Sequence, residues 1–245
     1  MGSGAVLVIG ATGNIGVAVA IAALKTGRQV IAPVRNSASA AKLFEHAGTR
    51  DGITTVEADV TSEDGIRHIV ERVEAGKLPA FQHVYSSGIR CMESHLDPET
   101  RYFFFSISHG HNSGGQLLDE VAYRATIPYL LKQADPDSTW TIVTGAAGEL
   151  GAAGATAVAQ GALFTLANVG CRELADTNVR FNEVHLSFRV DYDAVAKQKQ
   201  GGSVPSSQLA AHYVNLLARR DISGSRINLG KPEDIEKLPF TKKLG

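Results

Sequence analysis

The stretch that decides the fold is Ala5-Val6-Leu7-Val8-Ile9-Gly10-Ala11-Thr12-Gly13-Asn14-Ile15-Gly16. Its first five residues are all apolar, which predicts a central strand buried on both faces of a parallel sheet. Three glycines follow at three-residue spacing, and the Ala/Val-rich residues up to Leu24 predict a helix. A nucleotide diphosphate requires a tight turn, a backbone it can approach closely and free N–H groups at a helix N-terminus. This stretch therefore predicts a dinucleotide-binding turn, the alternative being an ordinary strand–helix turn.

Composition sets the class of protein. The chain has 245 residues, 44% of them hydrophobic, which suits a full core in an α/β protein. A net charge of −1 and a pI near 6.7 give no reason to expect nucleic acid or an anionic membrane as a partner. No apolar run is long enough for a membrane span, and the N-terminus lacks a signal-peptide pattern. We therefore expect a cytoplasmic protein that acts on a small molecule.

Strand and helix patterns alternate along the whole chain. The predicted strands after the first are 28–34, 53–57, 81–86, 139–144, 178–186 and 226–229, and the predicted helices after the first are 39–46, 61–75, 116–133, 156–175 and 207–219. No linker or internal repeat interrupts this alternation, which is typical of a doubly wound parallel sheet with helices on both faces. We expect one α/β domain over residues 1–245.

Further cofactor contacts are predicted where strands end. Arg35 follows the second strand with no carboxylate beside it, and an arginine there suits a ribose 2′-phosphate. This favours NADP(H) over NAD(H), unless Arg35 is a solvated loop residue. Asp59 follows the third strand and either faces the adenine or caps the turn. Ser86-Ser87-Gly88 ends the fourth strand with small residues that would let it lie against a cofactor ribose.

Three other segments were considered for chemistry. The irregular segment 89–115 holds His95, His109 and His111, but no carboxylate–histidine spacing typical of a zinc site, so we predict no metal. A second glycine series at 145–154 is interpreted as a flexible, small-residue wall beside the pocket. The polar residues of about 190–206 predict a flexible loop, which is either a substrate lid or disordered.

Together these segments resemble the short-chain dehydrogenase/reductase family over essentially the entire chain. The stretch Gly10 to Gly16 matches the family's glycine motif, Asp59-Val60 its adenine-side motif, and Ser86-Ser87-Gly88 stands where the family usually has Asn-Ala-Gly. The stretch Ala162 to Val184 looks like the helix and strand after the family's catalytic lysine. The resemblance implies a single Rossmann-like sheet of about seven strands and an NADP(H) cofactor.

The resemblance breaks at the catalytic residues. The family uses a Tyr-x-x-x-Lys pair on that helix and a serine after the fifth strand. Those positions hold Thr156, Gln160 and about Gly145, while the family's supporting asparagine falls between Asn112 and Gly115. A threonine hydroxyl does not ionise near neutral pH and glutamine carries no charge. The chain is thus interpreted as a divergent member without the standard carbonyl-reduction mechanism.

Three functions fit this pattern. The first is an NADP(H)-dependent reductase of a small molecule, such as an iminium, which already carries positive charge and needs no proton donor. Some fungal members of alkaloid assembly, a branch of secondary metabolism, have lost the tyrosine and lysine and reduce such intermediates or guide cyclisation. The second is a redox-neutral cyclase or isomerase on the same fold. The third is a non-enzymatic NADP(H) sensor or scaffold.

Polar residues at strand ends are candidates to replace the missing groups. They are Arg90, Glu149, His185, Ser187 and Arg189, with His111 and Asn112 on the opposite side. Of these, His185 and Glu149 would titrate usefully if they were buried. The resemblance also implies a homo-oligomer, a dimer or tetramer, formed through the helices that begin at Gln116 and Thr156.

Overall fold

The computed structural model describes residues 4–87, 118–152, 154–199 and 201–244, together with two short strands at 94–96 and 103–105. In chain order, its elements are β1 (Ala5–Ile9), α1 (Asn14–Lys25), β2 (Gln29–Val34), α2 (Ser37–Ala47), β3 (Ile53–Glu57), α3 (Glu63–Glu74), β4 (Phe81–Ser86), β5 (Ser94–Leu96), β6 (Phe103–Phe105), α4 (Leu118–Gln133), β7 (Thr139–Gly145), α5 (Ala147–Leu150), α6 (Ala155–Glu173), β8 (Arg180–Leu186), β9 (Val190–Asp191), α7 (Asp193–Gln198), β10 (Val204–Pro205), α8 (Ser206–Ala218), β11 (Ser225–Leu229), α9 (Asp234–Lys237) and β12 (Phe240–Lys242).

The main sheet of the described chain has eight strands in the order β12-β11-β8-β7-β4-β1-β2-β3. Every neighbouring pair is parallel except β11 and β12. From β3 at one edge, the chain returns to the other side of β1 as β4, so the strand order reverses between β1 and β4. Ligands of doubly wound sheets bind outside the carboxyl ends of the strands at such a switch point. The predicted α/β doubly wound sheet is confirmed.

Helices cover both faces of the sheet, because the central strands β1, β4, β7 and β8 bury side chains on both sides. One core packs α3, α4 and α6 on the sheet through residues such as Ile66, Val121 and Leu163. The other packs α1 and α8 on the opposite face through residues such as Val17 and Leu209. Ser62 caps the N-terminus of α3, with its Oγ accepting a hydrogen bond from the Gly65 N–H at 3.1 Å.

Two expectations differ from the structure. The main sheet has an eighth strand where about seven were expected: β12 follows the last predicted strand and pairs antiparallel with β11, with Phe240 opposite Ile227. Three residues that include polar Thr241 and Lys242 carry too little alternation to be predicted as a strand. The expected loop at 190–206 contains α7 between the paired strands β9 and β10. Burial of Ala196 and Val204 stabilises this segment.

A buried polar layer lies between the sheet and α8. His212, fully buried, contacts the Leu209 carbonyl oxygen through Nδ1 at 2.5 Å and the Tyr85 hydroxyl through Nε2 at 2.7 Å. Because a carbonyl only accepts, Nδ1 carries the proton and Nε2 accepts from Tyr85. Nearby, His83 Nδ1 lies 3.0 Å from Thr139 Oγ1. Burial lowers the pKa of His212 to about 4 and that of His83 to about 3.

No helix among the described residues is long and apolar enough to cross a membrane.

These histidines make the free energy of unfolding depend on pH. Below a pH of about 6.5 a histidine of the unfolded chain binds a proton, whereas the buried histidine of the folded chain stays neutral. The free energy of unfolding therefore decreases as the pH falls. Between about pH 8 and pH 5, each buried histidine accounts for a loss of about 2 kcal/mol. We expect His212→Gln to reduce the loss measured by urea unfolding by about that amount. The exposed His68→Gln is the control, and an unchanged pH dependence in His212→Gln would contradict the assignment.

Candidate functional site

The glycine turn after β1 forms a compact support for the start of α1. Gly10 has a φ of +78°, and the Gly13 N–H donates to the Gly10 carbonyl at 3.0 Å. A Cβ on Gly16 would lie 2.1 Å from the Gly10 carbonyl oxygen, so any side chain at position 16 would push α1 away from β1. At the exposed Gly13, by contrast, a Cβ would meet only the Gly10 oxygen at 3.4 Å. The turn therefore presents bare backbone to the outside.

Beside this turn lies a pocket of about 250 Å³ at the switch point of the sheet. Its walls are Gly13, Asn14, Ile15, Ser87, Leu186, Phe188 and Val190. Within the described chain, no side chain caps the N-terminus of α1, so its first N–H groups remain available beside the pocket. Uncapped N–H groups and the positive end of a helix dipole favour a phosphate. The residues present thus fit a nucleotide diphosphate.

The other predicted cofactor residues take different places. Arg35 is exposed directly after β2 and forms no ion pair with another described residue. Asp59 uses Oδ1 to accept hydrogen bonds from the Thr61 N–H at 2.9 Å and the Thr61 hydroxyl at 2.6 Å. In these hydrogen bonds Asp59 caps the turn, which is one of the two roles left open for it. Val60 next to it packs partly against the core.

Ser86 and Ser87, at the end of β4, have different hydrogen-bond partners. Ser87 lines the pocket and donates to the Ile9 carbonyl at 3.2 Å. Ser86 is fully buried and donates to Asp119 Oδ1 on α4 at 2.5 Å, so its hydroxyl is committed to that contact. Burial raises the pKa of Asp119 to about 7. An isolated aspartate in a helical pattern gives no sequence signal for this contact.

The three positions assigned to the family's catalytic residues do not form an acid–base group. Gln160 is 2% exposed, and its Oε1 accepts a hydrogen bond from the Gly145 N–H at 2.7 Å. This contact uses the glutamine to hold the turn after β7. Thr156 is partly buried in the first turn of α6. The second glycine series at 145–154 contains α5 rather than only a flexible wall.

The structure brings Glu149 and His185 together, but in an ion network under α6. His185 Nε2 lies 3.5 Å from Glu149 Oε2, while Arg226 donates to Glu149 Oε1 at 2.6 Å. Arg226 also pairs with the fully buried Glu183 at 3.0 Å, and Lys243 donates to Glu183 as well. None of these side chains lines the pocket. The two candidates therefore serve the packing of α5, β8 and β11.

Hydrogen bonds define the protonation states in this network. Burial raises the pKa of Glu183, but hydrogen bonds from Arg226, Lys243 and Thr144 outweigh it and the pKa lies below its ordinary value. The Thr144 hydroxyl donates to Glu183 at 2.6 Å, so its oxygen accepts from His185 Nδ1 at 3.2 Å. Burial lowers the pKa of His185 despite the opposing charge of Glu149.

Several predicted residues lie outside the described chain: Gly88, Arg90, His109, His111 and Asn112. Ser187 lies just beyond β8, where its N–H donates to the Leu229 carbonyl, and Arg189 pairs with Asp191 at 2.9 Å. Among the residues with described side chains, no three of His, Cys, Asp and Glu gather in a way that could hold a metal ion.

Sequence reasoning missed the part of the pocket wall made by Leu186 and Val190. Their signal was available, since apolar residues continue past the predicted end of β8 into a segment otherwise rich in polar residues. It was not recognised because a wall of the pocket also depends on how the segment folds back toward the glycine turn, which composition does not encode.

The sheet, the glycine turn at its switch point and the pocket define a Rossmann-like α/β protein. A sequence profile described as short chain dehydrogenase matches residues 4–99. The chain is 47% identical to the short-chain dehydrogenase/reductase iacG of Pestalotiopsis fici over 243 residues, covering 97% of this chain and 96% of that protein. The chain belongs to the short-chain dehydrogenase/reductase family. Proteins of this family are oxidoreductases that bind a nicotinamide cofactor.

Solved structures show the same fold. A short-chain type dehydrogenase/reductase from Mycobacterium ulcerans superimposes with a TM-score of 0.72 at 17% identity, covering 93% of this chain and 89% of that one. The NADPH-bound short chain oxidoreductase from Pseudomonas aeruginosa PAO1, described as containing an atypical catalytic center, has a TM-score of 0.65 at 19% identity, with 91% and 94% covered.

The contact at Gly16 predicts a sharp contrast between two glycines. Gly16→Ala places a methyl group against the Gly10 carbonyl, and such overpacking typically costs about 1–3 kcal/mol. Gly161→Ala in α6 meets nothing within 4 Å and should be neutral or stabilise the fold by up to about 1 kcal/mol. Thermal and urea unfolding measure both. Equal stability of the two variants would contradict the close packing of α1 on β1.

Proposed function

We propose that this protein is an NADP(H)-dependent reductase of a small organic molecule whose site lacks the family's tyrosine–lysine pair. The observation that carries the proposal is the pocket beside the glycine turn, whose described walls contain no ionisable side chain. Of the described candidates for a proton donor, Glu149 and His185 belong to the ion network and Arg189 pairs with Asp191. Gln160, at the family's lysine position, is bonded to Gly145. The chain thus supplies a shaped apolar wall and uncapped backbone N–H groups rather than an acid.

Such a site suits an acceptor that already carries positive charge. The nicotinamide cofactor, when bound, supplies a hydride. Hydride addition to a carbonyl creates an alkoxide, which needs a proton or strong hydrogen-bond donors in a pocket of low polarity. Hydride addition to an iminium creates a neutral amine and requires neither. We therefore propose an imine or iminium intermediate, of the kind found in secondary metabolism, as the substrate class.

Arg35 supports the choice of NADP(H). It lies at the end of β2, the position from which a guanidinium can reach a ribose 2′-phosphate, and no carboxylate stands beside it to bind a ribose hydroxyl instead. Its exposed side chain forms no competing ion pair within the described chain. Guanidinium groups match phosphate oxygens in a bidentate manner.

A fluorescence titration with each nucleotide tests the cofactor. Loss of a charge-assisted contact worth about 1.5–3 kcal/mol should raise the Kd for NADPH about 10- to 100-fold in Arg35→Ala and leave that for NADH nearly unchanged. Arg67→Ala, which removes an exposed arginine paired with Asp64 on α3, is the matched control. Equal weakening of both nucleotides, or no binding of either by the unaltered protein, would overturn the assignment.

Turnover tests the reaction. With a cyclic iminium and a ketone of the same shape, we expect NADPH absorbance to fall only with the iminium. His185→Gln and Glu149→Gln should retain the rate within about 3-fold, because a general acid would contribute about 100-fold or more. A larger loss in either variant would make that residue the proton source.

A redox-neutral cyclase or isomerase is the second candidate, since the same described walls could orient a reactive conformer without an acid–base pair. Product formation with no loss of NADPH would favour it, and nucleotide binding without any turnover would favour an NADP(H) sensor. We further propose a cytoplasmic homo-oligomer, a dimer or tetramer. In support, α6 exposes Val158 and Val169, which are 51% and 40% accessible in the single chain.

A further inference from the structure

The segment after β8 folds back on the glycine turn. We call residues 188–199 and 201–206 the strap. It begins at the pocket, where Phe188 and Val190 form part of the wall, and it ends at the first residue of α8, Ser206. β9 and β10 pair in parallel, with Val190 opposite Val204, so the two ends of the strap lie side by side.

Both ends of the strap are bonded to one residue of the glycine turn. Asn14 Nδ2 donates to the Val190 carbonyl at 2.9 Å, and Ser206 Oγ donates to the Asn14 carbonyl at 2.7 Å. Ser206 Oγ also reaches the Asp191 carbonyl at 3.2 Å. Asn14 is the first residue of α1, so its backbone N–H belongs to the uncapped helix end. One residue thus contacts the phosphate position, the pocket wall and the end of the strap.

Tyr192 provides a second tie. Its hydroxyl donates to the Thr12 carbonyl at 2.5 Å, and its ring stacks on His46 of α2 with centroids 3.7 Å apart and planes 9° from parallel. The Lys42 ammonium lies 5.0 Å from the same ring centroid. These contacts hold the first part of the strap against the glycine turn and α2.

Ion pairs and hydrogen bonds also join residues within the strap and connect it to α8. The Asp191 carboxylate accepts hydrogen bonds from Lys199 at 2.7 Å and from Arg189 at 2.9 Å, and these bonds lower its pKa to about 2. Asp193 Oδ1 accepts from the Ser207 N–H at 2.9 Å, which joins the strap to α8. A displacement at Val190 is therefore transmitted along the segment rather than absorbed by one flexible residue.

We propose that Asn14 is a positioning residue that couples nucleotide binding at the glycine turn to the placement of the strap and its pocket wall. The inference rests on the proposed function for the identity of the nucleotide. A diphosphate bound at the N-terminus of α1 restricts the motion of the Asn14 backbone. The hydrogen bonds of the Asn14 side-chain amide and backbone carbonyl in turn restrict Val190 and Ser206. By thermodynamic linkage, a substrate that orders the wall in turn strengthens nucleotide binding.

Hydrogen–deuterium exchange of the full chain, with and without saturating NADPH, tests the coupling. Loss of one hydrogen bond in Asn14→Ala should speed exchange of the strap in the nucleotide-free protein by about 3- to 10-fold. At NADPH concentrations that saturate each protein, NADPH should slow strap exchange in the unaltered protein but not in Asn14→Ala. Asn178→Ala, which removes side-chain hydrogen bonds to the Leu130 and Asp135 carbonyls, is the matched control and should leave the strap unchanged.

The outcomes separate the two proposals. Equal strap exchange in the nucleotide-free protein and in Asn14→Ala, or an undiminished NADPH effect in that variant, would overturn the role of Asn14. If the unaltered protein bound no nucleotide while Asn14→Ala still exchanged faster, the tie would be established and the proposed function, with the coupling to it, would be refuted.

Discussion

The N-terminus of α1 and the C-terminus of β1 pack with no space for a side chain between them, since a Cβ on Gly16 would approach the Gly10 carbonyl oxygen to 2.1 Å. This contact places the uncapped N-terminus of α1 at the switch point between β1 and β4, where Ile9 lies opposite Ser86. The pocket, the strap and the start of α8 are all located relative to it, because Asn14 and Ser206 are bonded across it. A wider turn would separate the pocket wall from the helix end.

The parts of the fold that follow from local pattern could be predicted from the sequence. The strands β1, β3 and β4 have the expected bounds: β1 is a continuous apolar run that ends at Gly10, and β3 and β4 mix apolar with polar residues. The cap of α3 at Ser62 follows from side-chain chemistry in the same way. By contrast, β12 could not be predicted, since its stability comes from pairing with β11 far along the chain.

The candidate site was less predictable than the fold, because its residues depend on long-range contacts. The glycine turn and Ser87 do line or frame the pocket, as their motif suggests. Ser86, the next residue back, turns to the opposite side and bonds Asp119, since successive side chains of a strand alternate between faces. Gln160 and His185 reach Gly145 and Thr144 through the packing of α6 and β8 on β7, which no local pattern records.

Because the described pocket wall has no ionisable group, the proposed reaction depends on how accurately the reacting atoms are placed. A site built from backbone N–H groups and apolar walls gains nearly all of its advantage from holding the reacting atoms at close range. In this protein, the hydrogen bonds from Asn14 to Val190 and from Tyr192 to Thr12 fix the position of the pocket wall. The proposed reduction without a side-chain acid would depend on this placement of the wall.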